Sequence, residues 1–116
     1  MNLGKYGESI AGKYLASKNY VPVAENFRYE RAEVDLIFKD EKEKVLMFVE
    51  VKTRRSKAFG EPEESVTEKK QKQIIKSAQG FLMEHPEYDE YEKRFDIVSI
   101  YVKGNKQEIN HIINAF

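Results

Sequence analysis

Leu3, Tyr6, Ile10, Ala11, Tyr14 and Leu15 recur at helical spacing, so residues 2–19 are predicted to form an amphipathic helix. On its wheel Glu8 projects close to Gly4, Ala11 and Leu15. It could lean inward there, although a solvated flank is the commoner fate of a glutamate. The period then drops to two. Residues 19–30 read as a strand whose Pro22 suits an edge. In AEVDLIFKD, residues 32–40, Val34, Leu36 and Phe38 face one way while Glu33, Asp35 and Ile37 face the other. A polar turn in KDEKEK leads into VLMFVEVK, residues 45–52, where Leu46, Phe48, Glu50 and Lys52 share a face.

Helical spacing returns at Ile74, Ile75, Ala78, Phe81 and Leu82, after a capping-box pattern at Ser65-Val66-Thr67-Glu68 and before His85-Pro86. RFDIVSIYV and EINHIINAF read as two further strands, joined across Gly104-Asn105, a pair suited to a tight turn. The order is helix, three strands, helix, two strands. It predicts an α/β fold with one mixed, mostly antiparallel sheet flanked by helices. At 116 residues, one domain spanning 1–116 is expected.

Composition adds a location for function. Lys plus Arg and Asp plus Glu each number 20, so net charge names no partner, yet residues 52–76 hold eight basic and four acidic side chains. The neutral total hides a positive middle that begins at the third strand. Without cysteine there is no disulfide, thiolate nucleophile or cysteine zinc site. No long apolar run or signal-like start is present, so a cytoplasmic protein with no membrane partner is the expectation.

A carboxylate and an ammonium ending an apolar strand are costly to bury unpaired. If the second and third strands pair at positions summing to 85, Asp35 stands opposite Glu50 and Glu33 opposite Lys52. Two facing carboxylates repel unless a cation lies between them. Mg²⁺, with Mn²⁺ as a substitute, takes oxygen ligands and often a substrate phosphate, and Asp35, Glu50 and the Val51 carbonyl would form the protein part of its site. Lys52 would point at the same spot, to hold or help deprotonate an attacking water. Arg54, Arg55, Lys57, Lys69, Lys70, Lys72 and Lys76 would meet a phosphate backbone.

An acidic residue two places before a lysine also occurs at Asp40-Glu41-Lys42 and Glu68-Lys69-Lys70, so the spacing alone means little. Only Glu50-Val51-Lys52 lies in an apolar strand with a second carboxylate at matching register. The competing structural reading makes Glu33 and Lys52 a cross-strand ion pair on a wet sheet face. His85, His111 and Ser99 lack partners for chemistry, and Asp96 suits an ion pair with Arg94.

YGESIAGKYL, ENFRYERAEVDLIFKD, MFVEVKTRRSKAFGEPEESVTEKKQ, RFDIVSI and INHIINAF together resemble, in the same order, the YraN-like family of inferred endonucleases in the restriction-endonuclease-like superfamily. The resemblance implies an αβββαβ core in which Asp35 and the Glu50-x-Lys52 pair bind Mg²⁺ and activate water. In the similar archaeal Holliday-junction resolvases a first-helix glutamate completes the site. That implies a catalytic or metal role for Glu8, and Lys70 fits a phosphate-contacting position. Ala32 departs from the family's usual glycine, a change that bears on the loop entering the strand.

The expected function is a Mg²⁺-dependent endonuclease on DNA, with branched or structured DNA among its substrates. The alternative is a non-catalytic module binding nucleic acid or a protein partner in DNA processing. A homodimer is also open, since resolvases that cut symmetrically need two sites and the terminal hairpin could pair across a dimer axis.

Overall fold

A computed structural model describes residues 2–56 and 60–116 of the chain. Helix α1, Leu3–Ser17, is followed by β1 (Val21–Tyr29), β2 (Ala32–Asp40) and β3 (Val45–Arg54). A short 3₁₀ turn at Pro62–Ser65 leads into α2, Glu68–Glu84, and then β4 (Glu92–Lys103) and β5 (Lys106–Ile112). The strands form one sheet in the order β1-β2-β3-β4-β5. Only β3 and β4 run parallel, because α2 carries the chain back between them; the other neighbours are antiparallel. This is an αβββαβ core extended by one strand, compatible with the restriction-endonuclease-like arrangement.

The two helices cover opposite faces. Ala11 and Leu15 of α1 pack with Leu36, Phe38, Val45, Met47, Val49, Val98 and Ile100. Ile74, Ala78 and Phe81 of α2 pack with Val34, Ile37, Leu46, Phe48 and Ile97. A strand with both faces covered has no use for a polar face, which is why residues 45–49 are continuously apolar.

Several local expectations are corrected. Val34 packs with Ile37 against α2 and not with Leu36 and Phe38. The alternation fails there because the β2–β3 ladder ends at Leu36–Val49 and β1 carries Asn26 at a φ of 49° across from this point. Thr67, not Ser65, caps α2 by accepting from the Lys70 N–H, since Ser65 closes the preceding turn through its own hydroxyl to the Pro62 carbonyl. The last strand stops at Ile112. Asn114 adopts a φ of 55°, and the tail folds back so that its N–H reaches Asp96. Gly104, at a φ of 60°, makes the two-residue β4–β5 turn for which the sequence was suited.

Asp96 ties that tail to the sheet. It is fully buried and accepts from Arg94 at 3.0 Å and from the Asn114 N–H at 3.1 Å, and it meets His111 Nε2 at 2.8 Å. Burial alone would raise its pKa, but His111, Arg94 and the Asn114 N–H together hold it below the usual carboxylate range. The Arg94–Asp96 pair expected from sequence is therefore present, with His111 added. Asp96→Ala should cost about 3–5 kcal/mol, because it strands a half-buried guanidinium and a backbone donor. Urea unfolding would measure this, and a loss under about 1 kcal/mol would show that water replaces the carboxylate.

Candidate active site

Glu50 and Asp35 meet where β2 and β3 part. Glu50 is only 3% exposed, at the end of the buried stretch of β3. The next ladder position would pair it with Asp35, but the Asp35 side chain has taken over the bond instead: its Oδ2 accepts from the Val51 N–H at 2.8 Å. The two carboxyl groups lie close enough to share a proton. Burial, then the Glu50 charge, pushes the Asp35 carboxyl up to about 7, with the Val51 N–H pulling the other way.

Two ammonium groups neutralise Glu50. Lys52 Nζ lies 3.6 Å and Lys70 Nζ 3.5 Å from its Oε2. Lys52 reaches back along its own strand, so the expected Glu33–Lys52 pair does not form. Glu33 bonds Arg28 on β1 at 3.0 Å, because β2 pairs with β1 past the point where it leaves β3. Glu50 Oε1 is buried and has no hydrogen-bond partner among the described residues. A buried carboxylate oxygen without a partner, beside a second carboxylate, fits a hard divalent cation. No three of His, Cys, Asp and Glu stand together as a complete cage among the described residues. Mg²⁺ does not demand one, since it commonly keeps water and takes one or two protein carboxylates.

Glu8 joins this region from α1. It is half-buried, and burial followed by the Asp35 charge raises its pKa. The close approach of α1 depends on Gly7, where a Cβ would overlap the Thr53 side chain of β3. Asn26, which the sequence reading does not single out, sets its amide against Glu8 and lowers that carboxyl's pKa in part. Its only signal is an asparagine inside a β-rich run, a residue that tolerates left-handed backbone.

The basic residues divide. Lys70 turns toward Glu50, whereas Lys69 lies with Lys72 and Lys76 on an exposed ridge of α2. Lys72 and Lys76 hold Glu68 and Glu30 in loose surface pairs. Arg54 donates to the Gly60 carbonyl from beneath the Pro62–Ser65 turn. Arg55 is exposed at the strand end, beside Asn2 and Tyr6 of the α1 side as well as Lys52 and Ser65. The basic run is thus spread around the end of β3 and is not a single stripe. Lys57 lies outside the described residues. No helix among the described residues is long and apolar enough to cross a membrane.

Residues 7–100 match the model of uncharacterised protein family UPF0102. A UPF0102 protein of Syntrophomonas wolfei is 46% identical over 98% of this chain and 96% of its own length. One from Caldicellulosiruptor bescii is 44% identical over the whole of both chains, and one from Geobacter metallireducens 42% over 99% and 92%. The matched span runs from Gly7, beside Glu8, into β4 as far as Ile100, so it takes in every carboxylate and lysine gathered at the end of β3. The chain belongs to uncharacterised protein family UPF0102.

Proposed function

We propose that this protein is a Mg²⁺-dependent endonuclease that hydrolyses DNA phosphodiester bonds, with branched or structured DNA as its preferred substrate. The observation that carries this reading is the Asp35–Glu50 pair: two facing carboxylates on diverging strands, one with an unpartnered buried oxygen, flanked by two lysines. Asp35, Glu50 and the Val51 carbonyl would hold the metal. A bound Mg²⁺ would supply Lewis-acid stabilisation of the phosphate and a more acidic water. Lys52, with its ammonium already at Glu50, steadies negative charge building on the phosphate and orients the attacking water. Glu8, on the Asp35 side, orients that water from the opposite direction. Lys70 contacts the adjoining phosphate, with Arg55 and the Lys69 ridge guiding the flanking backbone and Arg54 reaching the nucleic acid beside it.

A second reading has its own support. Lys52 and Lys70 already neutralise Glu50 without a metal, as a binding module built on the same sheet would require. Calorimetric titration of Mn²⁺, followed by incubation with linear, flapped and four-way DNA, separates the two. The nuclease reading expects metal binding and cleavage that EDTA abolishes. Salt-sensitive DNA binding that survives EDTA, with every substrate intact, would establish the binding module instead.

A further inference from the structure

The face of the sheet that carries Glu50 continues past it into a polar hollow. In the parallel β3–β4 register Lys52 is beside Ser99 and Arg54 beside Tyr101, and β5 adds Asn110 next to Ser99 and Glu108 next to Tyr101. Side chains in register share a face, so two cross-strand rows follow the Glu50 row, each about 7 Å further along the strands. Helix α2 covers the β1–β2 side of this face and leaves the far ends of β3, β4 and β5 to the Pro62–Ser65 turn. Between turn and sheet lies a cavity of about 220 Å³ lined by Arg54, Ser99, Tyr101, Glu108 and Asn110. Arg54, one of the lining residues, has its Nε buried without a hydrogen-bond partner among the described residues.

We infer that this cavity binds an unstacked nucleobase, that of the nucleotide adjoining the phosphate placed beside Lys52 and Lys70. Its chemistry suits a base better than a phosphate. Among the described lining residues two carboxylates, Glu61 and Glu108, stand against one guanidinium, Arg54, which disfavours an anion. Arg54, Asn110 and Ser99 offer donors, Asn110 also offers an acceptor, and the Tyr101 side chain lines the same hollow, a set suited to reading an extruded base by its edge and packing on its plane. A base inside a fully paired duplex cannot reach the cavity without unpairing, whereas one at a flap or branch point is already free. The pocket therefore supplies a physical reason for acting on structured DNA. The inference rests on the nuclease reading for the position of the phosphate, but the pocket can be tested without cleavage.

The test is titration, in EDTA, of an abasic-spacer oligonucleotide carrying one 2-aminopurine, read by that base's fluorescence, beside the same strand with that position abasic too. The wild type should change the emission and bind the abasic strand about tenfold more weakly. Tyr101→Leu and Asn110→Ala should each weaken 2-aminopurine binding about tenfold without changing abasic binding, and Tyr101→Phe should retain wild-type affinity. Asn110 is exposed, so its variant guards against misfolding of the Tyr101 variant. Unchanged emission, equal affinity for both strands, or equal loss on both strands in the variants would overturn the inference. A protein that shows the expected binding but never cuts would overturn the nuclease reading alone.

Discussion

Glu50→Ala is expected to keep the fold and lose both Mn²⁺ binding and DNA cleavage. Removing a buried charge usually strands its partners, but here Lys52 and Lys70 have side chains 30% and 39% exposed and can turn to water. The stability cost should therefore stay within about 1–2 kcal/mol. The functional cost should be far larger. Groups that merely support a metal ligand are worth about 10–100-fold in affinity or activity, so loss of a direct ligand should exceed about a hundredfold. The same variant also discriminates between readings, because it frees two ammonium groups and removes one negative charge. DNA should bind it more tightly at low salt, with a steeper salt dependence, while remaining uncut. Calorimetry with Mn²⁺ and with DNA, circular dichroism and a gel-based cleavage assay would measure these four effects. Wild-type cleavage in the folded variant would remove Glu50 from the chemistry.

What could be read from the sequence was whatever depends on local period and on hairpin closure. The rule that β2 and β3 pair at positions summing to 85 holds from Asp40–Val45 to Leu36–Val49, because a short turn and two apolar strands fix one register. It stops at Asp35, whose side chain takes the Val51 N–H that a ladder bond would have used. That substitution is a choice between two acceptors for one donor, and no periodicity encodes it. The Glu33–Lys52 pair fails for the same reason, since it assumed the ladder three residues beyond its end. Lys70 and Lys69 are neighbours in a basic run, yet only Lys70 faces Glu50; the phase of α2 over the sheet decides between them. The backfolded tail and the Asn26–Glu8 contact depend on partners distant in the chain, so local period does not encode them.

Asp35 makes the second large prediction, and it concerns stability. In metal-free protein its carboxyl titrates near 7, against an ordinary 3.8. Below about pH 4 the group is neutral in both folded and unfolded chains and costs the fold nothing. As pH rises the unfolded chain ionises first, so the folded state loses relative stability until the carboxyl itself ionises near 7; above that the full penalty applies. One unit is worth about 1.4 kcal/mol, which puts the loss between acid and alkaline conditions on the order of 4–5 kcal/mol. Asp96 acts with the opposite sign and in a separate window, adding stability above the usual carboxylate range that is lost only on stronger acidification. Asp35→Asn keeps an oxygen for the Val51 N–H, and its amide can donate toward the unpartnered Glu50 Oε1. In EDTA the variant should therefore be more stable than the wild type at pH 8, with the slope between pH 5 and 8 largely gone. Excess Mg²⁺ should reverse the order by stabilising only the wild type, through binding to the folded state. Parallel urea denaturation curves at both pH values, with and without metal, would measure this; an unchanged slope in the variant would mean that the Asp35 carboxyl is not the group that titrates. Reversal of that order by Mg²⁺ would mark the Asp35 carboxylate, which weakens its own fold at neutral pH, as a ligand and not as part of the scaffold.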